Sequence, residues 1–344
     1  MFHRLVGGIA AILGLWALPL GAQDRITPEV CALSAAELAL PAATIDDLAA
    51  AVPNGTGRFW RITGPAGQVS YLWGSLHSSD PAILALPPEV RQAMDTSRVL
   101  VLESDPRAKS RTEIAERALQ AGVWLAPADQ PWAKPWMDGA ERVWAEERIA
   151  SLTQDESAFS ALTDMGLAYF LLSDPCEDFS TGVLPTQDLR FLLMAHEAGL
   201  PVAALEPWDA FLTEMSQPDR QEEARALARI NAAFLKPEGY HEARIAGFRL
   251  YLAGQIGALH AASARYLSDR FGAREAGRLT ELADRYLIVE RNQRFVRALG
   301  KHLEAGGAMI VTGAFHLPGE QGLVALLQAK GYSVERVLVE GEVN

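Results

Sequence analysis

Four short apolar runs, at residues 69–73, 99–102, 201–205 and 308–312, constrain this chain more than any other feature. Each is too short for a stable helix, and long helix-forming blocks separate them, so they read as buried strands. The blocks at 108–196 and 207–303 then supply helices over a small sheet. This is an α/β (α+β) arrangement: a small mixed sheet with large helical insertions. The residues able to do chemistry gather at the strand ends. Glu103 and Glu206 directly follow their runs, and His77 and His316 come four residues after theirs. Where a sheet contains parallel strands, ligands bind beyond the carboxyl ends, so the site is expected there.

The two histidines share a pattern. Gly74-Ser75-Leu76-His77 and Gly313-Ala314-Phe315-His316 are both Gly-x-x-His, in a chain with only seven histidines. A glycine at a strand exit permits a sharp turn that aims the imidazole back over the strand end. Two neutral imidazoles and a carboxylate form a divalent-metal set with positions left for water and substrate. A bound ion lowers the pKa of its water, and a second carboxylate can accept the proton. Each residue also has a plainer reading. The histidines serve as turn residues, Glu103 as a surface strand end, and Glu206, before Pro207, as a helix-start charge.

Other patterns carry less. His196-Glu197 lacks a second histidine at helix spacing, Ser75 has no nucleophile motif around it, and Arg291-Asn292 reads as the solvated face of a charged helix. There is no Gly-x-Ser-x-Gly elbow, phosphate loop or dinucleotide fingerprint. The net charge of −12 and the lack of a basic run exclude a nucleic-acid binder.

Residues 1–22 read as a signal peptide, with a positive start, an apolar stretch at 5–20 and small residues for cleavage after Ala22. The expected location is therefore periplasmic or secreted; an uncleaved N-terminal anchor is the alternative. No later segment is expected to span a membrane. Export gives meaning to the two cysteines, Cys31 and Cys176, which are expected to form a disulfide. Residues 23–54 form an N-terminal extension, read as exposed or loosely packed with Ser34 or Thr44 as helix caps, and 55–344 a single domain.

Within that domain the pattern predicts a hairpin over 58–73 turning at 64–67, and helices over 112–120, 137–150, 159–172 and 187–197. Gly239, Gly254, Gly257 and Gly272 are expected to divide the block at 207–303. A helix over 320–329 and a strand over 333–339 close the chain.

The run into Gly74-Ser75-Leu76-His77, then Leu86-Pro87-Pro88-Glu89-Val90 and Val99-Leu100-Val101-Leu102-Glu103, resembles the opening of the TraB/PrgY/GumN family. The stretch from Thr312 through Gly313-Ala314-Phe315-His316-Leu317-Pro318-Gly319-Glu320-Gln321-Gly322-Leu323 to Lys330-Gly331-Tyr332 is similar to its C-terminal signature. Val202-Ala203-Ala204-Leu205-Glu206 and Glu290-Arg291-Asn292 resemble internal landmarks. The cysteine soon after the leader is similar to the exported, bacterial GumN-type branch. The family includes the Tiki metal-dependent peptidases, supported by manganese or cobalt, and its fold is similar to the erythromycin-esterase and ChaN groups. The resemblance thus implies His77, His316 and Glu103 as ligands of Mn²⁺, Co²⁺ or Zn²⁺, Glu103 or Glu206 as base, and Arg291 as a residue orienting a carboxylate or stabilising an oxyanion. Pro207 follows Glu206 where many relatives have threonine, which weakens the carry-over to Glu206. The implied function is an exported metal-dependent hydrolase, a peptidase, acting on a peptide or small molecule. The alternatives are a non-catalytic periplasmic protein that captures a short peptide or haem, and a metal-free esterase with a histidine base.

Overall fold

The computed structural model describes residues 26–39, 52–105, 124–126, 133–137, 139–176 and 186–343. Its sheet has six strands: β1 (Phe59–Thr63), β2 (Val69–Ser75), β3 (Val99–Leu102), β4 (Val202–Ala204), β5 (Ala308–Gly313) and β6 (Ser333–Arg336). Their spatial order is β4-β3-β5-β2-β1-β6. The first four in that order run parallel, and β1 lies antiparallel between β2 and β6. Consequently β2, β3, β4 and β5 all end at the same edge. The fold is the expected mixed α/β arrangement.

Alternation along the strands explains the layers. Ala308 and Ile310 of β5 pack with Phe295, Leu299 and Leu303 of helix Arg291–Ala305. Met309 and Val311 face the other way, onto Val90 and Met94 of helix Pro88–Thr96 and Phe191 of helix Gln187–Glu197. A separate apolar cluster unites helices Gly139–Thr153, Asp164–Phe170 and Gln221–Ala233.

The hairpin pairs Phe59 with Trp73 and turns through Gly67 at φ 84°. Gly239, Gly254 and Gly272 adopt positive φ and divide the later helices. Gly257 does not: it lies inside helix Ile256–Phe271, where a Cβ would stand 3.0 Å from the Gly55 Cα. The helix expected over 159–172 is two pieces, Ala158–Ala161 and Asp164–Phe170. Leu162 bridges to Leu125 between them, and Thr163 Oγ1 accepts the Gly166 N–H at 2.9 Å. The final helix starts later than expected, at Leu323, and the last strand stops earlier, at Arg336.

Residues 26–39 are not loose. Cys31 is bonded to Cys176, and Ser34 and Glu37 form a reciprocal capping box. His241 reaches the Val30 carbonyl at 2.8 Å and Glu37 Oε1 at 3.1 Å, and Arg249 Nε donates to the Glu37 carbonyl at 2.7 Å. The leader, Thr44 and the helix expected over 112–120 lie outside the described residues. Among the described residues no helix is long and apolar enough to cross a membrane.

Candidate active site at the strand ends

The end of β4 is zipped onto the end of β3. The Glu103 carbonyl accepts the Leu205 N–H at 3.1 Å and the Glu206 N–H at 3.0 Å. That pairing sets the two glutamates side by side. From the adjacent β5, the Gly313 N–H donates to Glu103 Oε1 at 2.6 Å. The chain then turns once through Ala314–His316 and brings His316 Nε2 to 3.5 Å from the same oxygen.

Arg291 joins the cluster from the start of its helix. Its Nη2 donates to Glu103 Oε2 at 2.6 Å and to Glu206 Oε1 at 2.7 Å, and its Nε donates to Glu206 Oε1 at 3.0 Å. Nη1 lies 3.3 Å from His316 Nε2. Arg294, one turn further on, donates to Glu206 Oε2 at 3.3 Å and to Glu214 Oε2 at 2.8 Å. A π-helical turn, Arg285–Glu290, leads directly into Arg291.

Asn292 defines the His316 tautomer. Its amide nitrogen donates to the carbonyls of His316 at 3.1 Å and Gln321 at 2.8 Å, so its oxygen faces the ring, 2.6 Å from Nδ1. Nδ1 therefore carries the proton, and the Nε2 lone pair is turned toward Arg291 and Glu103.

His77 stands on the neighbouring strand. Register pairs Gly74 with Thr312 and Ser75 with Gly313, so the two motifs lie alongside each other. His77 Nδ1 is 2.8 Å from Asp188 Oδ2, and Ser75 Oγ donates to Asp188 Oδ1 at 2.7 Å. Gln187, one residue earlier, accepts from Trp73 Nε1 at 3.0 Å and from the Leu76 N–H at 3.2 Å. The structure thus brings Glu103, Glu206, Arg291 and His316 into direct contact, while His77 pairs with Asp188 at their margin.

The expected reason for the motif glycines needs correction. Gly313 has an ordinary φ of −54°, and Gly74 lies within β2 without positive φ. Gly74 is required for close approach instead. A Cβ there would stand 2.5 Å from Leu317 Cδ1 and 3.0 Å from the Ala314 Cα, both in or beside the other motif.

Electrostatics separate the groups. Burial opposes ionisation of Glu103, but His316, Arg291, His77 and the Gly313 N–H outweigh it and hold its pKa at about 2. Burial pushes His316 down to about 4, against the pull of Glu103, so at neutral pH its ring is uncharged. Burial also opposes the charge on Arg291, yet Glu103 and Glu206 raise its pKa above the ordinary value. Asp188 lifts His77 to about 9. The His77 side chain is 67% exposed, so solvent screens that pairing.

Among the described residues no three His, Cys, Asp or Glu side chains converge as a metal-ligand group. The donor chemistry nonetheless suits a divalent cation. His316 is neutral with Nε2 unprotonated, Glu103 is ionised beside it, and His316 Nδ1 is tied to Asn292 as in a ligating histidine. His77, raised to about 9 by Asp188, must instead give up a proton before it can bind an ion. Seating an ion on His316 Nε2 requires Arg291 to give up its 3.3 Å contact there, while its bonds to Glu206 remain available.

Asp188, Asn292, Arg294 and Glu214 had no expected site role. Asn292 adjoined Arg291 in a noted motif; Asp188 had only the signal of an acidic residue in a first helical turn. No curated protein and no solved structure matches the chain. A sequence model of the TraB/PrgY/gumN family matches residues 58–336, a span that includes both Gly-x-x-His motifs, both glutamates and Arg291, and the chain belongs to that family.

Proposed function

We propose that this protein is an exported, metal-dependent hydrolase that cleaves peptide bonds at the strand-end cluster. The observation that carries this reading is the meeting of a buried, neutral imidazole, its Nε2 unprotonated, with an ionised carboxylate 3.5 Å away. His77, His316 and Glu103 would hold the cation, which when bound supplies Lewis acidity and a water of lowered pKa. The remaining steps belong to the protein. Glu103 accepts the proton of the attacking water, helped by the Gly313 N–H that fixes its carboxylate. Glu206, bonded to both Arg291 and Arg294, serves to orient Arg291 rather than to take a proton. Arg291 presents a guanidinium, 14% exposed, to the oxyanion that forms on the substrate carbonyl. The Cys31–Cys176 disulfide suits an oxidising compartment, in keeping with a cleaved leader at residues 1–22.

A second reading follows from Arg291 itself. With Nη1 already 3.3 Å from His316 Nε2, the cluster is complete as a metal-free acid–base site in which His316 acts as base on an ester. The experiment that separates the two is elemental analysis of the wild type and of His316→Ala, paired with mass spectrometry of a peptide library before and after exhaustive chelation. About one equivalent of metal per chain, lost with peptide cleavage in the variant, supports the peptidase. Ester cleavage that survives chelation replaces it with the metal-free reading. Saturable binding of intact peptides would make the protein a capture module.

A further inference from the structure

The two Gly-x-x-His motifs differ at their second position, Ser75 against Ala314, and the structure shows what the serine does. Ser75, 1% exposed at the end of β2, donates its hydroxyl to Asp188 Oδ1 at 2.7 Å. The other oxygen of Asp188 stands 2.8 Å from His77 Nδ1. Asp188 is thereby held by a hydrogen bond on one side, and on the other its Oδ2, which has no hydrogen-bond partner of good geometry, stands as the counter-charge against the imidazole. Its backbone is also fixed, because Gln187 beside it accepts from Trp73 Nε1 and the Leu76 N–H, both in the segment that carries His77. Tyr251 completes that anchor, with its hydroxyl 2.9 Å from the Gly74 carbonyl and 2.8 Å from Gln187 Oε1. The His316 motif has no hydroxyl at the matching position, and Asn292 ties its Nδ1 instead.

We propose that Asp188, braced by Ser75, is the positioning residue for His77. It holds the ring by Nδ1 so that Nε2 is the nitrogen offered to a ligand at the strand ends. A ring with most of its surface in solvent has little packing to hold it, so a carboxylate must supply the orientation. This rests on the metal reading above for its ligand but not for its geometry.

The experiment compares the full exported chain with Asp188→Asn, Ser75→Ala and His77→Ala. Mn²⁺ affinity is measured by calorimetry, and motion of the His77 ring by ¹³C relaxation, with the His316 ring as internal reference. Asp188→Asn is expected to weaken Mn²⁺ binding by about 10–100-fold and to free the His77 ring, leaving His316 unchanged. Ser75→Ala should shift both readouts in the same direction by less. A His77 ring as ordered in Asp188→Asn as in the wild type overturns the proposal, as does unchanged affinity. If the wild type takes up no Mn²⁺, the metal reading fails and ring order alone decides the positioning role.

Discussion

Arg291 places one positive charge between two carboxylates, so the stability of the site turns on it. Replacing it with methionine leaves Glu103 and Glu206, 14% and 5% exposed at their side chains, short of their main counter-charge. Breaking such a buried pair costs about 3–5 kcal/mol, and Arg294 still serves one oxygen of Glu206, so the lower figure is expected in urea denaturation of Arg291→Met. His316 sets the acid side of the stability profile. Its folded pKa of about 4 lies below the ordinary 6.5, so between those values the unfolded chain binds more protons. Its contribution is therefore full above pH 6.5 and is lost as pH falls through 4. Glu103 adds a further loss from its ordinary 4.5 down toward 2. His316→Gln should flatten the decline between pH 6.5 and 4 when unfolding is followed across pH, and an unchanged slope would place the acid sensitivity elsewhere. Glu103, Glu206 and His316 were legible because each lies at or just past a strand end, whereas Arg291 read as a solvated helix face and entered the site only through the family resemblance. Asp188 and Asn292 were not, because their helices reach the motifs only through the packing of the whole sheet.

At the scale of elements, two similar glycines do different work. Gly74→Ala pushes a methyl into Leu317 and the Ala314 backbone, where β2 meets the turn after β5, and overpacking of that kind costs about 1–3 kcal/mol. Gly313→Ala meets nothing closer than Glu103 Oε1 at 3.5 Å, and its φ of −54° suits alanine, so its stability should stay near wild type. Thermal unfolding of the two variants tests the contrast; equal losses would mean that close approach is not what Gly74 provides. The strands and the hairpin were readable because short unbroken apolar runs and turn glycines are local signals. The π-helical turn was not. Buried positions Ala276, Leu279, Ala283 and Tyr286 keep helical spacing, and the next are Asn292, Phe295, Leu299 and Leu303. The six-residue step from Tyr286 to Asn292 resets the phase and turns consecutive Arg291 and Asn292 toward the strand ends, which no local preference announces.

For the whole molecule, the disulfide ties chain segments 145 residues apart, while hydrogen bonds from His241 and Arg249 secure 26–39 against helix Tyr240–Leu252. With only two cysteines the pairing could be read from composition, but the surface it clips the segment to could not, because His241 and Arg249 come from a helix far along the chain. That helix also carries Tyr251, whose hydroxyl meets the Gly74 carbonyl and Gln187, so the segment the bond helps to dock lies against the frame behind the first motif. Its loss should lower stability without dismantling the site, since Glu103, Glu206, Arg291 and His316 touch none of residues 26–39 through their hydrogen bonds. Removing a long-loop disulfide costs about 2–5 kcal/mol, chiefly by freeing the unfolded chain in the entropy account. The double variant Cys31→Ser, Cys176→Ser should therefore unfold at lower temperature than the wild type, and reductant should bring the wild type down to match it. The two proteins should take up Mn²⁺ equally at a temperature where both remain folded. Equal melting temperatures would mean that the contacts of His241 and Arg249 already hold the segment. Altered Mn²⁺ uptake in the folded variant would mean instead that the frame behind Gly74 transmits strain to the strand ends.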